Sequence, residues 1–212
     1  MLLKEHYWFF ESVLPNKFCD EVVKLAKQRK LNLGNIGKYT DLKRKLNKKE
    51  IKDLKKKRNS NIVFMNDKFL YDEICPYITI ANSSAKWNFD WDWCESIQFT
   101  EYKKGQHYGW HCDSLPEPNS SSDINFKGKI RKLSCIISLS DASDYKGGLL
   151  EFDPRDYDPI NEKPSGKILK CKHLQKRGSI VVFPSHVWHR VKPITQGIRH
   201  SLVIWCLGYP FK

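Results

Sequence analysis

The sequence lacks the features that assign a chain to several broad classes of protein at first sight. Its 212 residues contain no run of about 18 apolar residues, which predicts that no transmembrane helix is present. The beginning of the chain, MLLKEHYWFFESVLP, has neither a long apolar run nor a small-residue cleavage site, so we expect no signal peptide. The seven cysteines are scattered and form no C-x-x-C pair, which argues against a disulfide scaffold or a zinc ribbon and predicts reduced thiols in a cytoplasmic protein.

Acidic residues are scarce in one segment, and this scarcity accounts for nearly all of the net charge. The whole sequence carries 37 Lys+Arg against 24 Asp+Glu, a formal net charge of +13. Residues 24–58 hold 15 of the basic residues and three acidic ones, whereas the remaining chain is almost neutral. Charge runs are usually solvated, so one interpretation is a Lys-rich surface that keeps the protein soluble. The other is a mobile arm that brings an acidic protein or an RNA partner to the functional site.

The order of the predicted elements indicates an α+β fold. Apolar spacing predicts helices at 18–30 and 67–82. The Asn47/Glu50 capping box predicts the start of another helix between them, and residues 61–65 are predicted to form a short strand. Farther along, short β-rich runs alternate with turns, as they do in a β-sandwich or a jelly roll. We therefore predict one integrated domain, in which residues 1–94 form a helical and strand support region and residues 95–212 form a β core.

The tripeptide His111-Cys112-Asp113 is the sharpest chemical feature of the sequence. On a strand, His111 and Asp113 project from the same face and Cys112 turns away. A third ligand could come from His189, with His186 as a competitor three residues earlier. Two histidines and one carboxylate form the facial triad of non-haem Fe(II) oxygenases. An H-x-D tripeptide alone often occurs by chance, so the prediction needs further support.

Polar residues in the last apolar run provide that support. Arg199 and Ser201 alternate with His200 in IRHSLVIW, so the first two share one face of a strand and His200 faces the other way. A guanidinium binds a carboxylate in a bidentate manner, and a hydroxyl adds one hydrogen bond. Tyr102 could donate its phenol to the same ligand. Together they predict an anchor for the far carboxylate of a dicarboxylic keto acid.

With these residues, the chain resembles the 2-oxoglutarate- and Fe(II)-dependent oxygenase superfamily, in its prolyl-4-hydroxylase-like branch. The resemblance is carried by an ordered series of segments: FFESVLPNKFCDEVVKLA, YKKGQHYGWHCD, RKLSCIISLSD, YKGGLLEF, GSIVVFPSHVWHRVKPIT and GIRHSLVIW. It implies a double-stranded β-helix with His111, Asp113 and His189 on iron. It also implies Arg199, Ser201 and Tyr102 on 2-oxoglutarate. The implied cofactors and cosubstrates are Fe(II), 2-oxoglutarate and O2, with ascorbate as a further candidate.

The resemblance also implies residues on the substrate side of the pocket. In prolyl hydroxylases of this branch, a tyrosine three residues before the first ligand lies by the substrate proline. An arginine opens a core strand, and a tryptophan six residues after the anchoring basic residue lines the substrate pocket. Tyr108, Arg131 and Trp205 match these positions. The implied reaction is hydroxylation of a C–H bond, most simply on a prolyl residue of a protein or peptide. Ser138 departs from the pattern, because some members carry a tyrosine there.

Three alternatives remain open at this stage. The same chemistry could act on a free amino acid or another small metabolite. Oxidative demethylation of nucleic acid would suit the net charge, but that branch has a second arginine where this chain has Trp205. A binding module without catalytic activity would have no physical need for five converging polar groups.

Overall fold

Strands dominate the computed structural model, which describes residues 3–36, 44–114, 117–155, 157–158, 163–164 and 166–211. The helices are α1 (Asn16–Lys27), α2 (Lys48–Lys57) and α3 (Lys68–Ser84). The strands are β1 (Trp8–Phe10), β2 (Asn32–Leu33), β3 (Arg58–Asn59), β4 (Asn61–Met65), β5 (Trp93–Cys94), β6 (Ile97–Tyr102), β7 (His107–His111), β8 (Ile130–Ser138), β9 (Tyr145–Gly147), β10 (Leu150–Asp153), β11 (Tyr157–Asp158), β12 (Lys163–Pro164), β13 (Leu169–Cys171), β14 (Ile180–Pro184), β15 (Trp188–Val191), β16 (Ile194–Gly197) and β17 (Arg199–Gly208). Within these ranges, no helix is long and apolar enough to cross a membrane.

Two antiparallel sheets form the body of the protein. The larger sheet has the order β1-β14-β8-β17-β6-β4-β2, and β5 pairs with β17 beside it. The smaller sheet has the order β13-β10-β15-β7-β3. Apolar side chains from both sheets meet in one buried cluster, and the helices cover the outer face of the larger sheet in another. This is the predicted α+β jelly roll with supporting helices.

The central strand β17 shows how one sequence pattern serves both layers. Its even-numbered residues Leu202, Ile204 and Cys206 are fully buried in the cluster that the helices cover. Its odd-numbered residues face the space between the sheets, because successive side chains on a strand point to opposite faces. Arg199 is among them, so the chain places a charged residue at a buried position for a reason other than packing.

The predicted helices and the predicted strand are present, with small shifts at the helix ends. Helix α1 begins two residues before the predicted start and ends at Lys27. Helix α2 has the predicted capping box, because Asn47 Oδ1 accepts a hydrogen bond from the Glu50 amide and Glu50 Oε2 accepts one from the Asn47 amide. The predicted strand 61–65 coincides with β4.

The segment before residue 95 contributes strands to both sheets. Strand β1 pairs with β14, β4 pairs with β6, and β3 pairs with β7. The described part of the basic segment is also packed, since Leu54 of α2 is fully buried and the helix runs directly into β3. Residues 37–43 of that segment lie outside the described residues. The division of the chain at residue 94 stays a prediction.

Candidate active site

The cluster of two histidines and one aspartate lies between the sheets. His111 ends β7 and pairs with His189 on β15, which brings the two imidazoles to one face. Asp113 follows β7, and its amide donates to the Ser185 carbonyl at 2.9 Å. The Nε2 atoms of His111 and His189 lie 3.6 Å from Asp113 Oδ1 and Oδ2, respectively. One possible ligand atom from each of the three residues lies within 4.8 Å of the others.

Hydrogen bonds at the back of each imidazole leave its Nε2 available. His111 Nδ1 is 2.9 Å from the Gly109 carbonyl oxygen, and His189 Nδ1 is 3.0 Å from that of Val187. Because a carbonyl oxygen only accepts, both Nδ1 atoms carry the proton, and each Nε2 presents a lone pair. Ser134 Oγ donates to Asp113 Oδ2 at 2.7 Å and orients the carboxylate. This arrangement is the one that metal-ligating imidazoles and carboxylates adopt.

The electrostatics of the cluster suit a divalent cation. Burial, together with His189, lowers the pKa of His111 to about 3. Burial opposes ionisation of Asp113, but His189 and His111 outweigh it and hold the pKa of this carboxyl at about 2. At neutral pH the site therefore contains a neutral His111 imidazole and a carboxylate, which are the protonation states that metal binding requires.

Arg199 provides a buried cation beside this cluster. Its side chain is almost fully buried, and Nη1 donates to Ser201 Oγ at 3.2 Å. Its Nη2 has no hydrogen-bond partner among the described residues. The guanidinium lies 5.7 Å from the ring centroid of Tyr102, the residue that pairs with Arg199 across β6 and β17. An orphaned buried donor is costly, so the pocket fits a carboxylate that would accept from it.

A β-bulge brings Tyr108 to the same face as His111. Between β15 and β7, His189 pairs with His111 and Val191 pairs with Tyr108, so the single residue Arg190 on β15 lies opposite two residues, Gly109 and Trp110, on β7. The extra residue reverses the alternation. The rings of Tyr108 and His111 consequently stack with centroids 3.5 Å apart and an interplanar angle of 11°.

Trp205 lines the pocket, and Arg131 packs against its ring. The Arg131 guanidinium lies 4.0 Å from the Trp205 ring centroid, and its Nε and Nη2 each donate to Glu95 at 2.6 Å. Trp205 is 7% exposed, and its Nε1 is buried without an acceptor among the described residues. The pocket wall therefore offers a second unused donor in addition to Arg199 Nη2.

The structure brings the sequence-predicted site residues together. The pocket is lined by Gln98, Tyr102, Tyr108, His111, Asp113, Ile136, His189, Val191, Arg199, Ser201, Val203 and Trp205. Arg131 reaches it through the Trp205 ring. His186, the competing distal histidine, is exposed and lies near Phe89 and Phe211, outside the metal-binding cluster.

Sequence reasoning missed three residues of this region: Arg58, Gln98 and Ser134. In the sequence, Arg58 ends the lysine run, whereas in the structure it is buried and lies 4.6 Å from the Tyr108 ring centroid. The sequence contains a weak signal for Ser134 and Gln98, because each is a polar residue within a core strand. In the structure, both positions are buried. No local pattern marks Arg58, because its role depends on the pairing of β3 with β7.

Known proteins are similar in sequence to about half of the chain. Residues 97–207 match the model of the 2OG-Fe(II) oxygenase superfamily. A PKHD-type hydroxylase from Sphingopyxis alaskensis is 36% identical over 104 residues, which cover 47% of this chain and 38% of that protein. One from Idiomarina loihiensis is 30% identical over 109 residues, covering 51% and 40%. The matched part thus spans about two fifths of these relatives.

Solved structures with a similar fold cover nearly the whole chain. A Pseudomonas putida prolyl-4-hydroxylase has a TM-score of 0.64 at 16% identity and covers 96% of this chain and 92% of its own. A viral collagen prolyl hydroxylase from Paramecium Bursaria Chlorella virus-1 has a TM-score of 0.61 at 18% identity, covering 97% of both. At such identities the likeness shows the fold, a double-stranded β-helix.

Proposed function

Since this chain belongs to the 2OG-Fe(II) oxygenase superfamily, we propose that it is a Fe(II)- and 2-oxoglutarate-dependent dioxygenase that hydroxylates a prolyl residue of a protein or peptide. The observation that carries this proposal is the cluster of half-buried His111 and buried Asp113 and His189 in one pocket with the orphaned Nη2 of Arg199. A metal site and an anion site thus share one pocket. The prolyl hydroxylases among similar proteins support the choice of substrate.

In this proposal, His111, Asp113 and His189 hold the metal, and Arg199 holds the distal carboxylate of the keto acid cosubstrate with help from Ser201. Bound Fe(II) and 2-oxoglutarate supply the oxidising chemistry, in which O2 and 2-oxoglutarate are consumed, succinate and CO2 are formed, and a substrate C–H becomes C–OH.

The walls of the pocket assist in two ways. Burial raises the pKa of Tyr102, which keeps this phenol protonated and able to donate to the same cosubstrate. Ile136, Val191 and Val203 line the pocket between the polar groups and exclude water from it.

The substrate side of the pocket is assigned to Tyr108, Arg131 and Trp205. The Tyr108 ring stacks on a metal-ligand candidate, so a substrate that contacts the edge of this ring lies near the metal. The unpaired Trp205 Nε1 can donate to a carbonyl oxygen of a peptide backbone. Glu95 fixes Arg131 through two hydrogen bonds, and Arg131 in turn supports the indole.

The charge of the basic segment bears on the charge of the substrate. The exposed lysines of α2 lie next to the strand that carries Tyr108 and His111, because β3 follows α2 directly and pairs with β7. We propose that these lysines attract an acidic stretch of the substrate polypeptide. An RNA partner is the alternative occupant of the same surface.

The proposal is tested by a mass measurement. The protein is incubated with Fe(II), 2-oxoglutarate, ascorbate and air, together with an acidic peptide that contains one proline. A gain of one oxygen atom on that proline, with succinate in equal amount, is the expected result. The same peptide with alanine at that position is the control. Oxygen added only to free proline would support the metabolite alternative, and loss of a methyl group from a methylated oligonucleotide would support the nucleic-acid alternative.

A further inference from the structure

Among the basic residues of the segment that the structure describes, Arg58 is the one that lies in the protein interior. It is 5% exposed, although it directly follows the exposed Lys55, Lys56 and Lys57. Its position on β3, paired with Tyr108 on β7, turns its side chain toward the pocket rather than toward solvent. Simple solubility cannot explain a guanidinium at such a position, because a buried charge requires compensation.

The hydrogen bonds of Arg58 connect three separate parts of the chain. Its Nε donates to Ser60 Oγ at 2.9 Å, Nη1 to the Asn35 carbonyl oxygen at 3.1 Å, and Nη2 to Gln98 Oε1 at 3.1 Å. All three acceptors are neutral, so Arg58 does not belong to a conventional buried ion pair. The bond to Gln98 also fixes the amide orientation of a residue that lines the pocket.

The guanidinium also stacks on the pocket tyrosine. It lies 4.6 Å from the Tyr108 ring centroid, and the same ring stacks on His111 at 3.5 Å. An arginine in this place combines a planar stacking face with donors in a rigid fork, which a lysine cannot reproduce. The stack Arg58–Tyr108–His111 therefore runs from the end of the basic segment to the metal-ligand cluster.

We infer that Arg58 is a positioning residue, which holds the Tyr108 ring against His111 and the Gln98 amide in the pocket wall. Its consequence for turnover rests on the proposed function, because Tyr108 is assigned there to the substrate. Arg58 itself would touch neither metal nor cosubstrate. Its loss should therefore weaken the use of the peptide more than the use of the cosubstrate.

The inference is first tested without turnover, by fluorine NMR of protein labelled with 3-fluorotyrosine. The Tyr108 resonance is identified by its absence in Tyr108→Phe. In Arg58→Lys and Arg58→Met, we expect this resonance to shift or broaden, because the ring loses one stacking partner. Gly34→Ala tests the same expectation while the charge of Arg58 stays intact. A Cβ on Gly34 would lie 2.6 Å from Arg58 Nε and displace the guanidinium.

A matched control exists on the opposite face of the same sheet. Arg190 stacks on Trp110 at 4.5 Å and pairs with Glu151, but it faces away from the pocket. Arg190→Lys should leave the Tyr108 resonance unchanged. An unchanged Tyr108 resonance in folded Arg58→Lys and Arg58→Met protein would overturn the inference, as would an equal change in Arg190→Lys.

Steady-state kinetics supplies the second readout. For Arg58→Lys, we expect the KM for the acidic prolyl peptide to rise about tenfold, with kcat and the KM for the cosubstrate within about twofold of the wild type. Equal effects on both KM values would contradict a positioning role on the substrate side. If the wild type hydroxylates no peptide, the proposed function fails, whereas the NMR measurement still decides the role of Arg58.

Discussion

At the scale of single residues, the tripeptide His111-Cys112-Asp113 provides both the metal-ligand candidates and a control residue between them. His111 and Asp113 face the cluster, whereas Cys112 turns away and its Sγ contacts the Ser114 carbonyl oxygen at 3.6 Å. We expect His111→Ala or Asp113→Ala to abolish both Mn(II) binding and 2-oxoglutarate decarboxylation, because each removes one of three metal ligands. Cys112→Ser should retain both. Calorimetry and CO2 release measure the outcome, and full decarboxylation by either alanine variant would disprove the metal assignment.

Arg199 allows a graded test of the anion site. Arg199→Lys keeps the charge but loses the fork, so the KM for the keto acid cosubstrate should rise about tenfold, and Arg199→Met should raise it further. Arg29→Lys is the control, since Arg29 Nη2 donates to both carboxylate oxygens of Asp67 near the surface, away from the pocket. An unchanged KM in Arg199→Met would remove Arg199 from the cosubstrate site.

At the scale of elements, strand alternation explains which parts of the site could be predicted. It correctly placed Arg199 and Ser201 on one face of β17 and His200 on the other, where His200 Nε2 lies 3.3 Å from Glu101 Oε2. The same rule fails for Tyr108, three residues before His111, because the alternation is reversed by a bulge. Only the resemblance to the family connected Tyr108 with the pocket.

Helix α2 combines an internal anchor with an exposed basic surface, and the two can be separated by substitution. Replacing Lys48, Lys49, Lys52 and Lys55 with glutamine leaves Leu54 and Arg58 in place. We expect the KM for the acidic peptide to rise at low ionic strength and to approach the wild-type value at high salt, because salt screens exposed charges.

The control for this charge removal is a second variant with four exposed lysines replaced elsewhere: Lys86, Lys127, Lys146 and Lys172. Both variants lose the same net charge, so only a local effect distinguishes them. Equal KM changes in both variants would show that α2 acts only through the general electrostatic attraction of the whole protein and has no local effect. Deletion of the whole segment would be a poorer test, since it would also remove Arg58 from the pocket.

At the scale of the whole molecule, the sequence predicted the fold class better than the connections. Helix spacing, capping and short strands are local properties, so an α+β class with a β-sandwich or jelly-roll core could be inferred from them. The resemblance to the family then favoured the jelly roll. The pairing of β1 with β14 joins residues that are distant in the chain, and no local signal marks it. No local signal marks the burial of Arg58 either, because it follows from the pairing between β3 and β7.

Partly buried histidines predict that the whole protein is less stable in mild acid. Burial lowers the pKa of His200, against the opposing effect of Glu101, and lowers that of His111 to about 3. Because these pKa values lie below that of unfolded histidine, about 6.5, the unfolded chain binds protons first and stability falls as the pH drops below that value.

The measurement is urea unfolding of the metal-free protein at about pH 7.5 and about pH 5, where we expect a lower midpoint at the acidic pH. His200→Asn should show a smaller difference between the two midpoints, because one of the responsible groups is absent. A midpoint that stays constant or rises on acidification would contradict the prediction.

Strand β17 has a consequence for how this protein tolerates mutation. Its even positions support the buried cluster, and its odd positions from Arg199 to Trp205 line the pocket. In a systematic mutational scan, substitutions at Leu202 and Ile204 should lower cellular abundance, whereas those at Arg199 and Ser201 should spare abundance and lower activity. Selection on this strand would thus alternate between two pressures with a period of two residues.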